Sequence, residues 1–296
     1  MRSTVSGLRS TPKLLVIVGP TASGKSDLAL KLASNFGGEI ISADSWTVYR
    51  GFDIGTSKPS KAEQTEVKYH LLDVADPPEG FNAPKFKELA ETAIAGIQNR
   101  GKLPTLVGGT GLYVDSVLYD FGFLPNVSAE ERAELNALTT PQLLKKAEDL
   151  QIDLSGIDRR NKRRIIRAIE AKGVKPTKKG LKPKTLIVGL KIDNDKLRRR
   201  VEQRTEQMLK AGLEQEVRGL SDKYGWETEP LKGIGYREWR DYFEGTQTLE
   251  ETKDKIVSAT MNLAKRQRTW FKRNKNIQWF SSIDEAYNFL EKILSK

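Results

Sequence analysis

Cysteine is absent from this 296-residue chain, and His70 is its only histidine. Without cysteine the chain forms neither disulfide bonds nor thiolate metal sites, which fits a reducing compartment. A single histidine with no partner histidine or cysteine is more typical of a structural role than of a catalytic one. We therefore expect a cytoplasmic protein whose chemistry depends on other side chains.

Long hydrophobic runs are absent as well. No apolar stretch approaches the roughly 20 residues needed to cross a bilayer, so we expect no membrane association. Residues 1–12 lack the apolar centre of a secretory signal and are basic and rich in serine and threonine. We expect a flexible tail there, with a cleaved organellar leader as the alternative. We also expect the protein to be a monomer.

Positive charge is plentiful but unevenly placed. The net charge is +11, and residues 158–200 alone carry seventeen Lys and Arg residues against four acids. Such a concentrated basic segment is typical of a protein that binds a polyanion. A solvated lysine-rich surface is the alternative, although the apolar residues within the segment argue against it.

Short apolar runs alternate with helical patterns over much of the chain, which predicts a parallel α/β sheet. The predicted strands are 14–18, 39–42, 69–74, 103–109, 185–192 and 277–280. Residues 128–171 instead show three helical patterns and no strand pattern, and a basic Pro/Gly-rich join follows them. We therefore predict a core domain of residues 13–123 and 184–296, a helical insertion at 124–183, and one long helix over 194–220.

The sequence GPTASGKS at residues 19–26 matches the P-loop pattern, and it lies between a predicted strand and a predicted helix. Backbone amides of such a loop and the positive end of the helix converge on phosphate oxygens, the lysine adds a point charge, and the serine hydroxyl can bind Mg²⁺. The predicted phosphate-binding residues are Gly19, Pro20, Thr21, Ala22, Ser23, Gly24, Lys25 and Ser26, with Ser26 as the Mg²⁺ ligand.

No predicted strand ends in Asp-Glu, the pair that holds magnesium and activates water in many ATP-driven motors. A group transferase, which holds phosphates without hydrolysing them, is therefore favoured. Asp44 and Thr110 both follow predicted strands, so both should lie near the phosphate crevice. From its position alone, Asp44 is equally suited to bind Mg²⁺, to act as a general base or to cap the next element.

Seven segments spread across nearly the whole chain carry a family resemblance. They are GPTASGKS, ISADSWTVYRGFDIGTSKP (41–59), HLLDVADP (70–77), LVGGTGLY (106–113), RRIIRAIE (163–170), IGYREW (234–239) and AKRQRTWF (264–271). Together, and in this order, they resemble the tRNA dimethylallyltransferases. The absence of cysteine favours the bacterial form, since the eukaryotic form often carries a zinc finger.

The resemblance implies that dimethylallyl diphosphate is the donor and that the acceptor is the exocyclic amine of the adenosine 3′ to a tRNA anticodon. The enzyme must then neutralise the departing diphosphate and accept a proton from the amine. Lys25, the loop amides and Mg²⁺ match the first task, Asp44 matches the catalytic base, and Thr110 matches a residue near the adenosine. Arg204 is expected to reach the diphosphate, with a solvated helix face as the alternative.

The resemblance also implies that the insertion grips the anticodon stem-loop while the target base is splayed out of its stack. The chain departs from the family pattern at two positions that bear on recognition: Thr47 stands where the family usually has glutamine, and Met261 stands where it often has arginine. The aromatic residues of KRQRTWFKR (265–273) either contact RNA or pack inward. The residues carried over as tRNA-binding are Asp44, Ser45, Trp46, Thr47, Thr110, Arg132, Arg163, Arg164, Ile165, Ile166 and Arg167.

Three other functions compete with this interpretation. A small-molecule or nucleotide kinase shares the P-loop, but it leaves the basic insertion without a role. An enzyme that prenylates free adenine nucleotide needs no insertion to grip an anticodon. An RNA-binding protein that merely senses nucleotides does not need Asp44 beside the loop.

Overall fold

The computed structural model describes residues 11–124, 127–174 and 176–295. Its strands are β1 Leu14–Val18, β2 Glu39–Ser42, β3 Tyr69–His70, β4 Pro104–Gly108, β5 Thr185–Leu190 and β6 Ile277–Phe280. They form one sheet in the order β3-β2-β4-β1-β5-β6, and each neighbouring pair is parallel. The predicted α/β fold with a parallel sheet is confirmed.

Helices connect the strands. In chain order they are α1 Lys25–Phe36, α2 Lys61–Glu66, α3 Ala83–Asn99, α4 Gly111–Leu118, α5 Ala129–Ala137, α6 Thr140–Asp149, α7 Lys162–Glu170, α8 Asn194–Lys210, α9 Leu213–Tyr224, α10 Arg240–Phe243, α11 Leu249–Phe271 and α12 Ile283–Leu294. Over the described ranges, no helix combines the length and the apolar character needed to span a bilayer.

The contacts divide the chain into two compact units. One comprises the described residues up to Leu118 and from Leu181 onward, and the other is Tyr119–Gly180. The predicted insertion at 124–183 overlaps most of the second unit. The tail predicted at residues 1–12 falls largely outside the described residues.

The core of the first unit is built around β1, which lies between β4 and β5 and is no more than 2% exposed at any residue. Leu15 and Ile17 pack in one cluster with Leu28 and Leu32 of α1 and Leu290 of α12. Because buried parallel strands need apolar residues on both faces, this strand is a continuous hydrophobic run. All strands point the same way, so their carboxyl ends share one edge of the sheet with the loop at residues 19–24.

Two predicted elements are wrong in extent. The single helix predicted over 194–220 is two helices, α8 and α9, because Gly212 adopts a left-handed φ of 98° that ends the regular helix. The strand predicted over 69–74 stops at His70, because Leu71 and Asp73 have φ values of 65° and 55° and turn the chain out of the sheet.

The second unit is helical, with α5, α6 and α7 as its helices. Leu135, Leu143, Ile165 and Ile169 form its buried core. Gly122 and Thr177 form an antiparallel bridge between the two ends of the unit. The three helices predicted within residues 128–171 are present.

Candidate active site

The loop at residues 19–24 connects β1 to α1 and turns through left-handed residues. Gly24 has a φ of 90° and Ala22 a φ of 58°. A Cβ on Gly24 would lie 2.6 Å from Cδ1 of Ile283, so both conformation and space require glycine there. The loop thus delivers Lys25 as the first residue of α1, at the positive end of the helix.

Two cations from distant parts of the chain meet at one cavity of about 150 Å³. Lys25 and Ser26 line it from α1, Arg204 lines it from α8, and Asp44 lines it from the loop that follows β2. Burial lowers the pKa of Lys25 to about 8, the negative charge of Asp44 opposes that shift, and the charge of Arg204 adds to it. The site therefore concentrates positive charge that an anionic ligand would neutralise.

Arg204 is held in place by two segments. Its Nη1 donates to Oγ1 of Thr21 in the P-loop at 3.3 Å, and its Nε donates to Oγ of Ser57 at 2.5 Å. Its Nη2 lies 3.5 Å from the carbonyl oxygen of Thr56. Burial lowers the pKa of the guanidinium, and Asp44 partly offsets that effect. Arg204 therefore lies beside the P-loop and lines the cavity.

Asp44 also shapes its own loop. Its Oδ1 accepts the backbone N–H of Trp46 at 2.9 Å, which is the capping role considered from sequence. Because the residue also lines the cavity beside Lys25, this local bond leaves the roles of base and metal ligand open.

Thr110 follows β4, and its Oγ1 accepts the backbone N–H of Ser45 at 3.2 Å. The backbone N–H of Thr110 donates to the carbonyl oxygen of Ala43 at 3.2 Å. The structure therefore brings the two predicted loops together at the carboxyl edge of the sheet, with Asp44 between the residues that Thr110 holds.

Much of the rest of the cavity wall is apolar, although hydroxyl-bearing residues such as Ser42, Thr205 and Thr260 also line it. The apolar side chains include Ala29, Ile40, Val107, Val201, Met208, Ile234, Ile256 and Leu263, with Trp46 among the ring-bearing residues. A ligand that fits this site combines an anionic group with a small hydrocarbon group.

The donor set near Lys25 suits a magnesium ion held mainly by its ligand. Ser26 offers a hydroxyl and Asp44 a carboxylate, both hard oxygens. Within the described residues no cluster of three or more His, Cys, Asp or Glu side chains forms a metal cage. Mg²⁺ commonly takes only one or two protein oxygens and completes its shell with phosphate oxygens and water, so these residues fit it.

The residues predicted to contact RNA are not equivalent. In the second unit Arg163 and Arg164 are exposed, whereas Ile165 and Ile166 are at most 2% exposed and pack in the helical core. The two isoleucine side chains therefore stabilise α7 and present no surface to a nucleic acid. In the first unit Thr47 is 5% exposed, and its Oγ1 lies 3.0 Å from Oγ of Ser42.

Arg132 and Arg167 share a buried partner. Both guanidinium groups pair with the carboxylate of Glu170, whose side chain is fully buried. Arg167 also donates to the carbonyl oxygen of Leu124 at 2.9 Å. These two arginines hold the second unit together, whatever else they bind.

Sequence reasoning missed the glutamine in α11 that touches the P-loop. Oε1 of Gln267 accepts the backbone N–H of Thr21 at 2.8 Å. Gln267 lies in the segment AKRQRTWF, but only the cations and aromatic residues of that segment were considered as contacts. Of the two aromatic residues in that segment, Phe271 packs inward and is 1% exposed, whereas Trp270 is half-buried and its Nε1 donates to Oδ2 of Asp115 at 3.1 Å.

Comparison with known proteins identifies the family. A family model described as IPP transferase matches residues 47–274. The tRNA dimethylallyltransferase of Desulforudis audaxviator is 43% identical over 286 residues, which cover 90% of this chain and 91% of that protein. The enzyme of the same name from Pediococcus pentosaceus is 41% identical, with 92% and 91% covered.

Solved structures give the same result. The full-length tRNA isopentenylpyrophosphate transferase from Bacillus halodurans has a TM-score of 0.74 at 37% identity, with 96% of this chain and 97% of that chain covered. A eukaryotic dimethylallyltransferase acting on tRNA has a TM-score of 0.78 at 26% identity, with 92% and 74% covered. The resemblance seen in the sequence is confirmed, and the chain belongs to the IPP transferase family.

Proposed function

We propose that this protein transfers a dimethylallyl group from dimethylallyl diphosphate to the exocyclic amine of the adenosine 3′ to the anticodon in tRNA, and releases diphosphate. The observation that carries the proposal is a single cavity in which Lys25 and Arg204 lie with Asp44 and an apolar wall. Prenyl transfer needs all three features in one place. Relatives that are 41–43% identical over nine-tenths of the chain carry the name of this activity.

In the proposed reaction, the bond between the allylic carbon and the diphosphate oxygen breaks as the bond between the amine nitrogen and that carbon forms. Lys25 and Arg204 bind the diphosphate and stabilise the negative charge that develops on it. The carboxylate of Asp44 accepts the proton that the amine loses. Ser26, with Asp44 nearby, would hold Mg²⁺, which supplies further charge neutralisation to the leaving group.

The apolar wall gives the hydrocarbon part of the donor a dry environment. Met208, Ile256 and Leu263 line the same cavity as the charged residues. Excluding water there protects the cation-like allylic group from hydrolysis, which would yield an alcohol instead of a modified base. This requirement separates a prenyl transferase from a kinase, whose donor carries no such group.

For the acceptor, we propose that the second unit binds the anticodon stem through phosphates, with the exposed Arg163 and Arg164 as contacts. We further propose that the protein acts as a monomer in the cytoplasm.

The direct test is mass spectrometry of unmodified tRNA after incubation with the protein, Mg²⁺ and dimethylallyl diphosphate. The expected result is a mass gain of one dimethylallyl group on the adenosine next to the anticodon. Adenosine monophosphate is offered in a parallel reaction. Modification of the free nucleotide with no modification of tRNA would overturn the proposed acceptor.

A further inference from the structure

Glu216 of α9 gathers four hydrogen bonds on one carboxylate. Its Oε2 accepts the backbone N–H groups of Asp53 at 3.1 Å and Ile54 at 2.7 Å. Its Oε1 accepts the N–H of Gly55 at 3.0 Å and the hydroxyl of Tyr236 at 2.7 Å. Three successive amides on one anion fix the backbone of that loop far more firmly than neutral contacts would.

The same loop continues directly into the site. Gly55, Thr56 and Ser57 line the cavity, and the last two accept hydrogen bonds from Arg204. A Cβ on Gly55 would lie 2.5 Å from Cζ of Tyr236, so the loop is also pressed against the ring whose hydroxyl binds Glu216. The carboxylate therefore fixes the segment that in turn fixes the guanidinium.

Other bonds also restrain the loop. Oγ1 of Thr56 donates to the carbonyl oxygen of Phe52 at 2.7 Å, and the N–H of Ser57 donates to the carbonyl oxygen of Ile54 at 2.9 Å. Nζ of Lys58 donates to Oδ1 of Asp53 at 2.5 Å and to the carbonyl oxygen of Tyr49 at 2.9 Å. The two bonds of Lys58 hold Asp53, at the start of the loop, and Lys58 itself, which follows the loop. Glu216 binds the backbone N–H of Gly55, with the hydroxyl of Tyr236 beside it, next to the two residues that hold Arg204.

We propose that Glu216 is a positioning residue for donor binding: it fixes residues 53–57 so that Ser57 and Thr56 aim Arg204 at the diphosphate. The inference rests on the proposed donor site. Glu216 is not among the residues that line the cavity, so it acts through Arg204 and not on the reacting atoms. Disturbing it should weaken diphosphate binding and leave tRNA binding unchanged.

The test is a double-mutant cycle on the binding of inorganic diphosphate with Mg²⁺, measured by calorimetry. In the wild-type background, Glu216→Gln replaces one of the two accepting oxygens by an NH₂ group, which cannot accept from the N–H or O–H donors that face it. We expect its Kd for diphosphate to rise about tenfold, the scale of one charge-assisted hydrogen bond. In an Arg204→Gln background the same change should raise Kd less than about twofold, because the residue that Glu216 positions is gone.

Glu214→Gln is the matched control, since Glu214 lies on the same helix and pairs only with the exposed Arg218 in the described contacts. It should leave diphosphate binding unchanged in both backgrounds. If Glu216→Gln does not fold, Glu216→Asp keeps the charge, shortens the reach, and gives the same comparison. The proposal is overturned if neither variant weakens diphosphate binding, or if the loss is as large without Arg204 as with it.

Binding of inorganic diphosphate requires no tRNA, so this result stands apart from the proposed acceptor. A protein that binds diphosphate as expected but never modifies tRNA would contradict the proposed function and leave the role of Glu216 in place.

Discussion

Lys25 and Asp44 line one cavity from two different parts of the chain, the first from the start of α1 and the second from the loop that follows β2. The carboxylate favours the charged form of the lysine, but burial outweighs it and lowers the pKa of Lys25 to about 8. The ammonium that should bind the diphosphate is therefore close to losing its proton under mildly alkaline conditions.

Diphosphate binding should weaken as the pH rises through about 8. Below that pH Lys25 is charged and binds the anion, and above it each unit of pH should raise Kd by up to about tenfold. Calorimetry with inorganic diphosphate from pH 6 to 10 measures this. Lys25→Arg keeps its charge, so it should show only the titration of the ligand itself. A wild-type profile equal to that of Lys25→Arg would contradict the prediction.

Asp44→Asn should lower turnover by roughly 10²–10⁴, because an amide does not accept the proton of the amine. Asparagine retains an Oδ1 that can accept the Trp46 amide, so the local turn should survive the change. Single-turnover prenylation and tRNA affinity are measured on the same preparation. If tRNA binding is lost while the single-turnover rate is kept, Asp44 recognises the substrate and is not the base.

At the amino edge of the sheet, Glu39 should contribute stability that acid removes. Burial opposes its ionisation, yet hydrogen bonds from Arg100, His70 and Lys102 lower its pKa from 4.5 to about 2. His70 lies 2.7 Å from this carboxylate, in keeping with the structural role expected for it. A lowered pKa stabilises the fold above pH 4.5, and that stabilisation is lost as the pH falls toward 2.

The comparison is urea unfolding of wild type and Glu39→Gln at pH 7 and pH 3. The wild type should be the more stable by at most about 3 kcal/mol at pH 7, and the gap should narrow at pH 3. If the two proteins differ in free energy of unfolding by the same amount at both pH values, Glu39 stabilises the fold through its shape and not through its charge.

Local patterns predicted the strands of the sheet and the P-loop because each is formed by a short run of consecutive residues. A buried parallel strand must be apolar on both faces, so β1 and β5 appear as continuous hydrophobic runs. The break at Gly212 escaped prediction because the apolar spacing continues from Val201 to Leu213 and Val217, and a glycine fits that spacing until its φ is known.

Contacts between distant residues could not be read from the sequence in the same way. Ser57 lies 147 residues before Arg204, and the two meet only because loop and helix converge at the cavity. Glu216 has the appearance of an ordinary charged position on an amphipathic helix, and only its four partners distinguish it. Similarly, the cationic pattern of α7 does not distinguish Arg164, which is exposed, from Arg167, which binds a buried carboxylate.

That difference decides how RNA binding by the second unit should be tested. Arg167→Ala would remove one of two cations from Glu170 and would destabilise the unit, so its effect on tRNA would be ambiguous. Arg163 and Arg164 are exposed, and replacing both by alanine should leave the fold intact.

Arg163→Ala/Arg164→Ala should weaken tRNA binding and flatten its dependence on salt. Each lost phosphate contact should reduce the slope of log affinity against log salt by about one, because fewer counterions are released. The measurement is tRNA affinity across a salt series, with diphosphate affinity, which should not change, measured in parallel. Lys292→Ala, an exposed cation on α12 in the first unit, is the control and should leave the slope unchanged. If the double variant keeps the wild-type slope and affinity, these arginines are solvated surface, and free adenine nucleotide becomes the acceptor to test next.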